Sequence, residues 1–204
     1  MFVTLERDWV GRTVVLIGGG PSAKHQPLER LEHSGHIVVA INDAMVHLPW
    51  ADVAFSIDMV WMGNRIAELN AFRGEKLMAV PRGSAPFADE RQIIRIPGVG
   101  FGQRMDHLFT GGNSGYAALG MALLRGADRI VLVGYDMKQH GHWHAGYTWH
   151  SRPVQGTYPR WVRGFWTLAK RARESGQAVY NTNAESAITC FTFAPIEDFL
   201  EVPA

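Results

Sequence analysis

Four short apolar runs in the first eighty residues each end in a polar or glycine-rich turn. Val14-Val15-Leu16-Ile17 runs into Gly18-Gly19-Gly20, Ile37-Val38-Val39-Ala40-Ile41 into Asn42-Asp43, Val53-Ala54-Phe55-Ser56-Ile57 into Asp58, and Leu77-Met78-Ala79-Val80 into Pro81. Runs this short, bounded by turn formers, read as strands buried on both faces. Ile93-Ile94-Arg95-Ile96 reads as a short edge strand, Ile130-Val131-Leu132-Val133 as another buried one, and Ala178-Val179-Tyr180 as the last. Helical spacing predicts a short helix over 22–31 with Ser22 as its cap, then helices over 60–72, 116–124 and 158–174, and a short one near 196–200. Strands alternating with helices predict an α/β fold with a mostly parallel sheet and helices on both faces.

A chain of 204 residues, 47% hydrophobic and 19% charged, fits one globular domain, and no repeat, linker or low-complexity tract divides it. One segment stands outside the alternation. Residues 137–157 form a long polar and aromatic stretch with His140, His142, His144 and His150, and loops of that length are usually lids or binding loops. It is expected to be an active-site loop. The net charge of +1 argues against a polybasic nucleic-acid binder and leaves room for a local basic face. A single cysteine, Cys190, excludes an intrachain disulfide and reads as a small buried hydrophobe. No apolar run reaches the ~18 residues of a membrane helix, and Met1–Asp8 has no signal-peptide core, so a cytoplasmic protein is expected. Trp143, Trp149, Trp161 and Trp166 lie close together, as core or as the floor of a substrate pocket.

Two glycine loops carry the candidate chemistry. Gly18-Gly19-Gly20-Pro21-Ser22 leaves a strand and opens a helix, where free N–H groups and close backbone approach suit a phosphate. Gly18, Gly20 and Ala23 also match the dinucleotide spacing G-x-G-x-x-A, with Asp43 roughly where a ribose-binding carboxylate belongs, about 20 residues on. Gly111-Gly112-Asn113-Ser114-Gly115 precedes the small-residue helix, with Asn113 or Ser114 as cap. In a parallel sheet the strand-to-helix loops share one edge, so both glycine loops, Asn42, Asp43, Asp58, Tyr135 and Asp136 are expected to converge there on a nucleotide. His-x-His spacing within the long loop, with Asp136 nearby, can hold a metal in an extended segment, but the ligand set is incomplete and no metal is expected. Arg152, Arg160 and Arg163, interleaved with Tyr158 and Trp161, suit either a solvated helix face or a phosphorylated or nucleic-acid ligand.

Gly20-Pro21-Ser22, Asn42, Asn113-Ser114-Gly115, Ile130–Asp136, His150-Ser151 and Asn183-Ala184-Glu185-Ser186 together resemble the bacterial family-42 sialyltransferases. The same pattern is shared with 6-hydroxymethylpterin diphosphokinase-like proteins, and the chain looks nearest to phage-encoded members of that superfamily. The likeness spans roughly residues 13 to 200 and rests on short motifs. It implies a Rossmann-like domain of the glycosyltransferase-A type, cytoplasmic in the host cell if phage-encoded, that binds a nucleotide sugar and needs no cofactor. Gly20, Ser22, Ser114 and Gly115 would contact the nucleotide, Asn42 the ribose or sugar, and His150 would be the general base for an acceptor hydroxyl. A histidine near its ordinary pKa of ~6.5 suits that task. Where the family places tyrosines that stabilise the departing phosphate, this chain has Lys138 and, loosely, Tyr147. His142, His144, Tyr147 and Arg152 would face the substrate. The acceptor, a glycan, a small molecule or a modified DNA base, is left open, as is an oligomer. Two alternatives stand beside this reading. One is a pterin-type diphosphokinase using ATP and Mg²⁺ held by Asp43, Asp58 and Asp136; the other is a non-catalytic nucleotide- or dinucleotide-binding module.

Overall fold

The computed structural model describes residues 1–138, 141–144 and 156–200. Within them the strands are β1 (Thr13–Ile17), β2 (Ile37–Ile41), β3 (Val53–Ser56), β4 (Glu75–Val80), β5 (Arg91–Ile96), β6 (His107–Phe109), β7 (Arg129–Val133), β8 (Ala178–Asn181) and β9 (Thr192–Phe193). The α-helices are α1 (Ala44–His47), α2 (Met59–Asn64), α3 (Ile66–Ala71), α4 (Ser114–Leu124) and α5 (Thr157–Glu174). The described strands form one sheet in the order β6-β5-β4-β3-β2-β1-β7-β8-β9, and every strand pair is parallel. The α/β Rossmann-like architecture read from the sequence is the one observed.

The central strands are apolar on both sides because both faces are covered. Val14, Leu16, Val39 and Phe55 pack toward α4 and α5, whereas Val15, Ile17, Val38 and Ala54 pack toward Leu28, Leu31, Met45, Trp61 and Leu69. Helix α4 is nearly all apolar because it is nearly all buried, lying between the sheet and α5. Helix α5 buries one stripe, Gly164, Phe165, Leu168, Ala169 and Ala172, and exposes the opposite side.

The course of the chain fixes where a ligand fits. From β1 it steps outward through β2 to β6, then crosses back through α4 to β7 on the other side of β1. The loops leaving β1 and β7 therefore diverge, which opens a crevice at the carboxyl edge between them.

Several boundaries differ from the sequence reading. The helix expected from Ser22 is instead two 3-10 turns, Pro21–His25 and Leu28–His33, and Ser22 does not cap the first. Pro27 sits between them and cannot donate the hydrogen bond that a continuous helix needs. The helix over 60–72 is broken at Arg65 into α2 and α3. Arg91–Ile96 is an interior strand, because His107–Phe109 pairs outside it, and β9 pairs outside β8. Both edge strands have three residues or fewer, too short to leave a periodic signal.

Candidate functional site

A cavity of about 650 Å³ opens at the carboxyl edge over the switch point. Its walls come from Gly18-Gly19-Gly20 after β1, Asn42 after β2, Asp58 after β3, Arg95 on β5, the Gly112–Gly115 turn, and Gly134–Lys138 after β7. His142, His144, Tyr158 and Trp161 close it from the loop side. The two glycine loops, Asn42, Asp58, Tyr135 and Asp136 do converge as parallel pairing requires.

Asp136 holds the crevice together. Its Oδ2 accepts from Ser22 Oγ at 2.7 Å, and its Oδ1 accepts from Ser22 N at 3.2 Å and Asn183 Nδ2 at 3.0 Å. The carboxylate thus ties the β1 loop, the β7 loop and the β8 loop to one point. A Cβ on Gly20 would run into Asp136 Oδ2 and the Gly134 carbonyl, so the first loop needs glycine there for close packing of chain against chain. Ser22 and Pro21 do not line the cavity; Ser22 spends its hydroxyl on Asp136. They position the loop rather than face a ligand.

Tyr135 joins the second loop to the first. Its ring is 2% exposed, and its hydroxyl donates to the Gly115 carbonyl at 3.1 Å. Burial pushes the phenol pKa well up, so it stays a donor. A Cβ on Gly115 would lie 3.0 Å from that ring, and one on Gly18 would lie 3.4 Å from it. Asn113 caps α4, its Oδ1 accepting from Tyr116 N at 2.7 Å. Ser114 Oγ donates to Asn42 Oδ1 at 3.2 Å and accepts from Ile57 N at 3.4 Å, linking the α4 start to the β2 and β3 ends. Asn42 and Met137 are the non-glycine residues with left-handed φ among those described, at 54° and 50°, and both line the cavity. Backbone held in that region costs energy and clusters at functional sites.

Asp43 does not line the cavity. It is fully buried, and both oxygens receive Arg65, Nε on Oδ1 and Nη2 on Oδ2 at 2.9 Å each, while Trp61 Nε1 donates to Oδ1 at 2.7 Å. Burial pushes the carboxyl up, but Arg65 and Trp61 outweigh it and hold it below the usual carboxylate range. Asp43 is an anchor for α2, so the ribose-carboxylate role and the metal role both fail for it. Asp58 lines the wall, with Oδ1 capping α2 through Val60 N and Trp61 N. With Asp136 engaged by Ser22 and Asn183, the three carboxylates do not gather into a Mg²⁺ site. Among the described residues, no group of three or more His, Cys, Asp or Glu is placed to hold a metal.

The described part of the long loop docks on the first glycine loop. Trp143 N donates to the Gly19 carbonyl at 3.1 Å, Trp143 Nε1 to the Gly18 carbonyl at 2.9 Å, and His142 Nδ1 lies 3.2 Å from the Gly19 carbonyl. His144 is stacked between His47 and His142, at ring separations of 5.3 and 5.4 Å. Its Nδ1 is 4.0 Å from Asp43 Oδ2. Burial nevertheless lowers its pKa to about 4, so the ring is neutral at ordinary pH. Lys138 and Arg95 bring positive charge to the wall, and Arg95 Nη1 donates to the Ile57 carbonyl at 3.0 Å. In the sequence its strand reads as a short edge strand, and Arg95 was not singled out. Trp161 and Tyr158, packed edge to face at 5.2 Å, do line the pocket, whereas Trp166 is 52% exposed. Cys190 is half-buried, and burial pushes its thiol up to about 11. His140, Tyr147, His150 and Arg152 lie outside the described residues.

No protein-family model matches the chain, and no curated protein matches its sequence. Among solved structures, the fold is similar to that of the sialyltransferase CST-II in complex with a trisaccharide acceptor and CMP. The TM-score is 0.53 at 12% identity over 95% of this chain and 89% of that one. A second similar structure is the sialyltransferase CstII from Campylobacter jejuni in complex with a substrate analogue, CMP-3FNeuAc. Its TM-score is 0.48 at 11% identity over 95% and 86% of the two chains. At this identity the likeness is one of fold, the Rossmann-like glycosyltransferase-A type. No helix described is long and apolar enough to cross a membrane.

Proposed function

We propose that this chain is a glycosyltransferase that moves a sugar from a nucleotide-sugar donor to an acceptor hydroxyl. The supporting observation is the convergence of Gly18–Gly20, Asn42 and Asn113–Gly115 on one cavity at the switch point, in a fold similar to that of an enzyme solved with CMP and an acceptor. The nucleotide lies over the switch point, and the acceptor enters past Tyr158 and Trp161. His150 takes the proton of the acceptor hydroxyl as its oxygen bonds to the sugar carbon, and the bond from that carbon to the nucleotide phosphate breaks. Lys138 offsets the charge that builds on the leaving phosphate. The loop covers the donor and excludes water, which limits hydrolysis. No cofactor is needed in this scheme.

The test begins with thermal-shift measurements against CMP, UDP, ADP and NAD, since ligand at 100 times its Kd stabilises by about 2.7 kcal/mol. The preferred nucleotide, as its sugar conjugate, is then offered with candidate acceptors. His150→Ala is expected to abolish transfer and keep the nucleotide shift. Unchanged turnover in that variant removes His150 from the mechanism, and preference for NAD over every mononucleotide removes the transferase reading.

A further inference from the structure

Helix α5 has a second face that the cavity does not use. Its first turn supplies Tyr158 and Trp161 to the cavity wall. Its outer side exposes Arg160, Arg163, Trp166, Lys170 and Arg173. At about 1.5 Å per residue these side chains form a stripe roughly 20 Å long, with Trp166 midway. The helix carries five cations and one acid, in a chain whose net charge is only +1. Glu174, the one acid, is at the far end, 3.8 Å from Lys170. Five of the chain's 20 Lys and Arg residues thus lie on the helix that borders the pocket mouth, against one of its 19 acids.

From this we infer that the outer face of α5 binds a single-stranded nucleic acid. Guanidinium forks at Arg160, Arg163 and Arg173 match phosphate oxygens, with Lys170 as a further point charge. The exposed indole of Trp166 offers a plane on which a base stacks. A lipid surface fits less well. An interfacial helix must sink its apolar face into the bilayer, and here Phe165, Leu168, Ala169 and Ala172 already face the protein core. The stripe leads toward Tyr158 and Trp161, so a strand lying on it runs past the cavity mouth. The inference stands independently of the transfer chemistry, because none of the stripe residues lines the cavity.

The experiment measures fluorescence anisotropy of labelled oligo-dT with the intact chain, from about 50 to 200 mM salt. The wild type is expected to bind with a log–log salt slope near −3, about 0.7 per neutralised phosphate for four cations. Arg163→Glu with Lys170→Glu is expected to weaken binding at least tenfold and flatten the slope. Trp166→Ala is expected to weaken it about tenfold with the slope retained. Should the charge reversal melt early, Arg163→Gln with Lys170→Gln gives the same readout without placing new acids on the helix. Absence of oligo-dT binding at low salt, or binding unaltered in these variants, overturns the inference. So does capture by phosphatidylglycerol vesicles that oligo-dT does not displace.

Discussion

Ser22 Oγ donates a 2.7 Å hydrogen bond to Asp136 Oδ2 across 114 positions of sequence. The bond spans the point where the two halves of the sheet part, joining the loop that follows β1 to the loop that follows β7. Asp136 is 7% exposed and accepts two further hydrogen bonds there. Asp136→Asn keeps the shape but turns an amide donor toward groups that themselves donate, leaving buried groups mismatched. It is expected to cost about 2–3 kcal/mol, measured by urea unfolding. A loss below about 0.5 kcal/mol means the clamp is not structural.

The two neighbouring glycines respond differently. A Cβ on Gly20 meets the Gly134 carbonyl and the pinned Asp136, neither of which can yield, so Gly20→Ala is expected to destabilise by about 1–3 kcal/mol. A Cβ on Gly19 meets only the His142 ring, 2.6 Å from Nδ1, and that exposed side chain can swing away. Gly19→Ala is expected to leave the melting temperature nearly unchanged while loosening the loop. Limited proteolysis of residues 137–157 reports that loosening; identical digestion patterns refute it.

Tyr135→Phe removes the hydrogen bond to the Gly115 carbonyl and nothing else. The expected loss is about 1 kcal/mol of stability. Because this bond holds the second loop in place, the thermal shift given by the nucleotide proposed as ligand is expected to shrink with it. A variant with unaltered stability and shift leaves Tyr135 as packing alone.

His144 gives stability a pH dependence. Burial lowers its pKa to about 4, while Asp43 pulls it up and His142 and His47 push it down. The unfolded chain takes the proton near pH 6.5 and the folded chain near pH 4, so stability is full above about 6.5 and falls as the pH drops toward 4. The gap corresponds to roughly 3 kcal/mol as an upper bound. Thermal melts across that window are expected to show a flatter profile for His144→Asn than for the wild type. Parallel profiles mean the imidazole is not held neutral by burial.

Fold class, the positions of the seven inner strands and the convergence of the loops were legible in the sequence, because two-sided burial makes each central strand an unbroken apolar run and glycine marks the turns. Val14–Ile17 and Ile130–Val133 announce themselves by composition alone, and parallel pairing then places Gly18–Gly20, Asn42 and Gly111–Gly115 on one edge. What each polar group does there was decided by tertiary contacts. Asp43 sits at a ribose-binding spacing yet is consumed by Arg65 and Trp61, which follow it by about twenty positions. Ser22 faces Asp136 instead of a ligand, and Arg95, on a strand read as an edge, lines the cavity from a strand that β6 flanks. Local sequence reports the period of burial and the points where the backbone must bend. Which partner satisfies a carboxylate or hydroxyl depends on residues brought near only by folding, and that pairing leaves no periodic trace along the chain.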